Sequence, residues 1–379
     1  VDLTGDGLIR ARVVDPALKA RIENSGSIDA IQAVTLTAGQ AQNVLDRVVN
    51  NTGVIRATGL VSRGGEIVLE AATVSLGGTV VADGAANGGS IAIDANAASL
   101  AGLLSATGGS GQGGRIDIQT KTLALHNVHS TLDASGTNGG SIREVAGHQI
   151  TSSATYRATG SDGKGGHIDL TAPATKLLSA QIDASGATGG GQIRIGGEYQ
   201  GGKNLAADEL PNAETLAISN GSVIKADATR RGDGGTVILW SDLTSALYPA
   251  VSAQGKNGVG GFIELSSAET LKWGGSADAG IGGQVLMDPK NIVIQDAAAG
   301  SVQYNLVLGY NYLDLPRMKG NDLEANDFFG SSVSLSGTQL AVGAYGDAGA
   351  GNAAANSGAV YLFNNPFSTP VLSGIIGKG

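Results

Sequence analysis

Leu104-Ser105-Ala106, a glycine-rich loop closing on Gly113-Gly114, and then Arg115-Ile116-Asp117-Ile118 decide the fold. The phrase is an aliphatic residue, a spacer and Ala, a loop ending in Gly-Gly, then two aliphatics separated by one residue. It recurs from Ile55, Val80, Leu132, Tyr156, Ile182, Ile224 and Val251. The glycine pairs begin at Gly64, Gly88, Gly113, Gly139, Gly165, Gly190, Gly234, Gly260 and Gly282, at successive differences of 24, 25, 26, 26, 25, 44, 26 and 22. The 44 marks one insertion, over about 196–215, which reads as a loop protruding from its coil. Ile28-Asp29-Ala30 reads as an earlier coil without the Gly-Gly turn.

Self-similarity at this period is the signature of a solenoid. After each glycine pair the apolar residues alternate, as in Ile67/Leu69, Ile91/Ile93, Ile168/Leu170, Ile193/Ile195, Val237/Leu239, Ile263/Leu265 and Val285/Met287. Period two means strand. A third strand follows at Val74/Leu76, Leu123/Leu125 and Ile292/Ile294. Three short strands in about 25 residues describe one coil of a right-handed parallel β-helix, and about nine coils at ~4.8 Å each make a shaft of roughly 43 Å. Glycine at the turns supplies positive φ, and Ala marks a tight inward corner. Ile142 is followed by Glu144, where a bulge, or Val145 turned inward, is expected. Val44, Leu45 and Val48 have helical spacing, so 41–49 is expected to hold a short helix.

The outward spacers form two columns of alternating sign. One is Asp133, Arg157, Asp183, Lys225; the other is Asp117, Arg143, Asp169, Arg194. Alternation fixes the register, because stacked like charges repel.

Composition narrows the function. The 379 residues include 61 Gly, 8 Pro and no Cys, with a net charge of −9. Collagen is excluded, since Gly lacks a three-residue period. Disulfides and thiolate metal sites are excluded. The acidic balance argues against nucleic acid and anionic membrane as partners. No run approaches the ~20 apolar residues of a transmembrane helix, and no leader precedes Val1, so any signal peptide is expected to be removed or to lie outside these residues.

Val48-Val49-Asn50-Asn51-Thr52-Gly53-Val54-Ile55 resembles a recurrent phrase of two-partner-secretion exoproteins of the filamentous-haemagglutinin type. So do Gly234-Gly235-Thr236-Val237-Ile238-Leu239-Trp240, Gly260-Gly261-Phe262-Ile263-Glu264-Leu265-Ser266 and, most specifically, Leu286-Met287-Asp288-Pro289-Lys290-Asn291-Ile292-Val293-Ile294. The resemblance spans residues 1–296. It implies a secreted, surface or matrix-associated shaft exported through an outer-membrane pore partner. The family's secretion domain is not evident, so export is inferred from the shaft. After a linker at 297–320, Asp327-Phe328-Phe329-Gly330-Ser331-Ser332-Val333-Ser334-Leu335-Ser336-Gly337 resembles the start of an FG-GAP repeat, completed by Leu340-Ala341-Val342-Gly343-Ala344 and Gly358-Ala359-Val360-Tyr361-Leu362-Phe363. That resemblance implies one propeller blade over 321–379, where a propeller needs at least four.

Candidate chemistry is sparse. Parallel β-helices include polysaccharide lyases and glycosidases, but Arg143 separates Asp117 from Asp169, and Arg157 separates Asp133 from Asp183, so no free carboxylate pair arises. His126, His129, His148 and His167 read as surface or turn residues. Calcium lacks a complete loop: Asp347 is followed by Ala348, Gly349, Ala350 and Gly351; Gly108–Gly113 has Gly where the calcium-binding nonapeptide needs Asp; and Asp2–Gly7 reads as a turn. Tyr199, Trp240, Tyr248 and Trp273 are candidates for a glycan-stacking surface, with core or edge packing as the alternative. Val333, Leu335, Leu340, Val342, Val360 and Leu362 mark three candidate assembly strands, whose open edges another copy would complete. The expectation is a non-enzymatic structural or adhesive shaft without cofactor, whose partners are other copies, surface proteins or glycans.

Overall fold

The structure, a computed structural model, describes residues 8–13, 19–38, 46–57, 64–202, 210–294, 329–336, 339–344, 358–364 and 371–376. The chain forms two compact units, Val1–Ala297 and Ala298–Gly379. The 297–320 linker, the Asp2–Gly7 turn and the Asp347 loop lie outside the described residues.

The first unit is a parallel β-solenoid. A coil gives one strand to a 10-stranded sheet and two to a 19-stranded sheet, the two being continuous as one long strand at Glu66–Leu76, Ser90–Leu100 and Arg115–His126. In the larger sheet Val34, Ile67, Ile91, Ile116, Ile142, Ile168, Ile193, Val237 and Ile263 stack in register, each no more than 1% exposed. In the smaller sheet Ile55, Val80, Leu104, Leu132, Tyr156, Ile182 and Ile224 do the same. Each such aliphatic side chain contributes on the order of 1.5–3 kcal/mol by leaving water. At the last described coil the inward column opens, with Val285 and Ile292 43% and 46% exposed.

The Ala and the Gly-Gly of the repeat are two halves of one clamp. The second glycine donates its N–H to the carbonyl of the Ala: Gly89 to Ala82 at 2.7 Å, Gly114 to Ala106 at 2.6 Å, Gly140 to Ala134 at 2.7 Å. This bond closes each glycine loop and leaves the Ala methyl in the core. The glycines are needed for close approach, and the expected positive φ is absent at these three pairs. A Cβ on Gly114 would sit 2.1 Å from the Gly89 carbonyl oxygen of the preceding coil. Asn fills a different corner: buried Asn51 accepts from Asn24 Nδ2 at 2.8 Å and donates to Gly53 O.

Three local expectations are corrected. Residues 46–49 belong to the strand Asp46–Asn51, because pairing with Lys19–Asn24 and Glu66–Leu76 overrides the helical spacing; 41–45 lie outside the described residues. No bulge occurs at Glu144: it continues the inward column between Ile118 and Leu170, and Val145 faces out. A register shift between Thr120 and Leu123 turns Leu125 outward and places Ala124 and His126 inside.

The second unit is a 4-stranded antiparallel sheet in chain order, Phe329–Ser336, Gln339–Ala344, Ala359–Asn364 and Val371–Ile376. It has one strand more than the three expected. Val333 pairs with Val342, Leu335 with Leu340, and Val342 with Tyr361.

Candidate functional site

The insertion builds the most elaborate surface of the shaft. After the strand Gln192–Ile195 the chain turns through Gly196 and Gly197 and lies back across the following coils as the kinked turn Tyr199–Gly202. This corrects the protruding loop for 196–202; residues 203–209 lie outside the described set. Gln200 and Gly201 adopt φ of +50° and +67°. A side chain is rarely held in that left-handed region without a compensating contact. The compensation here is Glu264, whose two carboxylate oxygens both accept the Gln200 N–H at 3.2 Å. Glu264 points outward, between Ile238 and Leu286 in the strand register, yet the strap buries it completely. Burial, aided by the nearby Asp288 carboxylate, pushes Glu264 up to about 7, although the Gln200 N–H and Ser266 oppose the shift.

Trp240 is the strap's floor. It is 4% exposed, and a Cβ on Gly201 would stand 2.7 Å from its ring. Its Nε1 donates to Asp242 Oδ1 at 3.0 Å, and Asn212 donates to the same oxygen and to Gly201 O. Tyr199 meets Phe262 edge to face at 5.7 Å. At the strap's start Arg194 donates two 2.7 Å hydrogen bonds to Asp169 and pairs with Glu198. The Asp169 hydrogen bonds raise the Arg194 pKa and hold it charged.

The sequence-derived candidates separate as follows. Tyr199 and Trp240 come together at the strap. Trp273 faces the core below Leu247, 9% exposed, and half-buried Tyr248 sits at another corner. Trp240 and Trp273 are therefore covered and present no ring face to a sugar, so the four do not form one stacking strip.

The charge columns exist as register. Asp117, Arg143, Asp169 and Arg194 stack in successive coils, as do Asp133, Arg157, Asp183 and Lys225. Direct pairing is selective. Asp169 pairs with Arg194, but Asp117 takes Arg115 from its own strand. Asp133 and Asp183 instead accept the backbone N–H of Ser135 and Ser185 at 2.9 and 2.8 Å, bracing the glycine loops.

His129, His148 and His167 are exposed as expected, but His126 is buried at 2% exposure. Its Nε2 lies 2.6 Å from Glu144 Oε1; Tyr156 donates its hydroxyl to Glu144 Oε2 at 3.1 Å, and the Ser152 hydroxyl, 2.9 Å away, donates to the Tyr156 oxygen. Burial, then the Glu144 charge, raises Tyr156 well above its ordinary 10.0, which keeps the phenol protonated as a donor. This polar plug interrupts all three inward columns over two successive coils, His126 in one and Glu144 and Tyr156 in the next. Sequence marked only the Glu144 departure and Tyr156 in an aliphatic slot; His126 needed the register shift. The plug is enclosed by the coils. Among the described residues no group of three or more His, Asp or Glu is placed to hold a metal. No helix among them is long and apolar enough to cross a membrane.

In the second unit the outer strands Phe329–Ser336 and Val371–Ile376 pair on one side only among the described residues. Of the six candidate assembly residues, Val333 and Leu335 stand on an outer strand. Leu340, Val342, Val360 and Leu362 stand on the two inner strands, so they offer no open edge.

Comparison with known proteins agrees with this architecture. A family model described as an FG-GAP repeat matches residues 317–363, which reach the third of the four strands. No curated protein matches the chain in sequence. Among solved structures, the chain is similar to the crystal structure of the HMW1 secretion domain from Haemophilus influenzae, with a TM-score of 0.54 and 21% identity over 73% of this chain and 78% of that one. At that identity the likeness is one of fold, a shared β-solenoid.

Proposed function

We propose that this chain is a secreted, non-enzymatic shaft of a bacterial surface or matrix exoprotein, with a C-terminal sheet through which copies associate. The observation that carries the reading is the spending of charge. The outward carboxylates that a hydrolytic site would use are committed to structure: Asp169 to Arg194, Asp117 to Arg115, and Asp133 and Asp183 to backbone amides. The likeness to a secretion domain and the filamentous-haemagglutinin-like phrases support export through an outer-membrane pore partner. The half-paired outer strands support association, since unpaired N–H and C=O groups template strand addition.

Two measurements test it. Sedimentation velocity of the full chain should show concentration-dependent growth, and a chain ending at Ala297 should stay monomeric. Incubation with pectin-like and other acidic polysaccharides should give no more product than denatured protein. Turnover that disappears in Asp169→Asn would replace the shaft with an enzyme. A second reading, an isolated glycan-binding rod, is favoured by a groove on the opposite sheet.

A further inference from the structure

We propose that the outer face of the ten-stranded sheet binds an extended acidic glycan carrying one carboxylate per two sugars, with Arg157 and Lys225 as its carboxylate-binding residues. A groove on this face is lined by Thr131, Thr155, Arg157, Gln181, Asp183 and Lys225. The strand register puts Arg157 beside Asp183 and Asp183 beside Lys225, so the two cations stand two coils apart, roughly 9.6 Å at parallel strand spacing.

Both cations are exposed, and among the described residues neither side chain has an ion pair or a hydrogen bond. Their in-register neighbours make no ion pair with them, because Asp133 and Asp183 accept the Ser135 and Ser185 amides instead. This differs from the neighbouring sheet, where Arg194 is consumed by Asp169 and Glu198. The groove floor is the middle of a sheet whose backbone groups are engaged in the parallel ladder, so it offers no edge for a peptide strand. It offers the Gln181 amide between the two positive charges, and the hydroxyls of Thr155, on Arg157's own strand, and of Thr131, one coil further on, all suited to sugar hydroxyls.

Spacing and sign select the ligand. A β-linked chain with an acid on every second sugar brings successive carboxylates round at about the two-coil distance. The sugar between them, uncharged, falls over Asp183. A polymer with an acid on every sugar would place a carboxylate against Asp183 and be repelled. The chain's net charge of −9 likewise disfavours dense polyanions.

This inference does not rest on assembly, and it is tested on the full chain by calorimetric titration with hyaluronan oligosaccharides, polygalacturonate oligosaccharides and a neutral cello-oligosaccharide. The expected result is binding of the hyaluronan fragments alone, weakened by salt. The Arg157→Gln, Lys225→Gln double variant should lose at least tenfold in affinity with an unchanged melting temperature. Asp183→Asn should admit polygalacturonate. No binding of hyaluronan fragments, equal binding by the double variant, or equal binding of polygalacturonate by the unaltered chain would overturn the proposal. Sedimentation decides assembly separately, so failure of one leaves the other standing.

Discussion

Glu144 Oε1 lies 2.6 Å from His126 Nε2 inside a column that is otherwise aliphatic, with Ile118 on one side and Leu170 on the other. A buried carboxylate is tolerated only where donors surround it, and Tyr156 supplies the second. Glu144→Leu should therefore destabilise the shaft by about 3 kcal/mol or more, despite completing the column, since it strands two buried polar partners. The combination His126→Leu, Glu144→Leu, Tyr156→Phe should recover most of that loss. Denaturant unfolding of the two variants checks this; a triple variant no better than the single would show that the plug matters for packing and not for polar satisfaction.

Adjacent residues of one strand should differ sharply. Ile116 is fully buried and Asp117 faces out. Ile116→Asp should abolish cooperative folding or lower the melting temperature severely. Asp117→Ser, which loses only a surface pair with Arg115, should cost under ~1 kcal/mol. Equal melting temperatures would refute the strand phase.

Glycines divide by what surrounds them. Gly114→Ala should be strongly destabilising, because the added carbon meets the Gly89 carbonyl at 2.1 Å. At Gly77 the nearest atom to an added Cβ is Thr52 Cγ2 at 3.9 Å, so Gly77→Ala should be tolerated. Thermal melts of the pair measure the clamp directly.

Glu264 predicts a pH dependence. Its carboxyl rises from 4.5 when unfolded to about 7 in the fold. The folded state thus binds the proton more tightly, and its contribution to stability is complete below pH 4.5 and is lost as pH rises through about 7. Glu264→Gln, a neutral acceptor for the Gln200 N–H, should flatten the melting-temperature profile between pH 5 and 8 and raise it at the upper end. An unchanged slope would place the titrating group elsewhere.

Much of this fold was legible because a solenoid writes its coil into the chain many times. The Gly-Gly spacing gave the coil, and the alternation around Ile67/Leu69 and its equivalents gave the buried face. Features that occur once were hidden. Glu144 predicts a bulge when the strand is read alone, because its partners, His126 and Tyr156, come from other strands of the coil stack. The strap's dependence on Glu264 joins residues 64 positions apart. The strand Val371–Ile376 carries no repeat to announce it, so the motif alone predicts three of the four strands of the C-terminal sheet.

Negative-stain microscopy of the full chain beside a chain ending at Ala297 tests the central claim, a shaft that associates through its C-terminal sheet. The account predicts filaments from the full chain at high concentration and isolated rods from the truncated one. Isolated rods from both, or the same filaments from both, would contradict it.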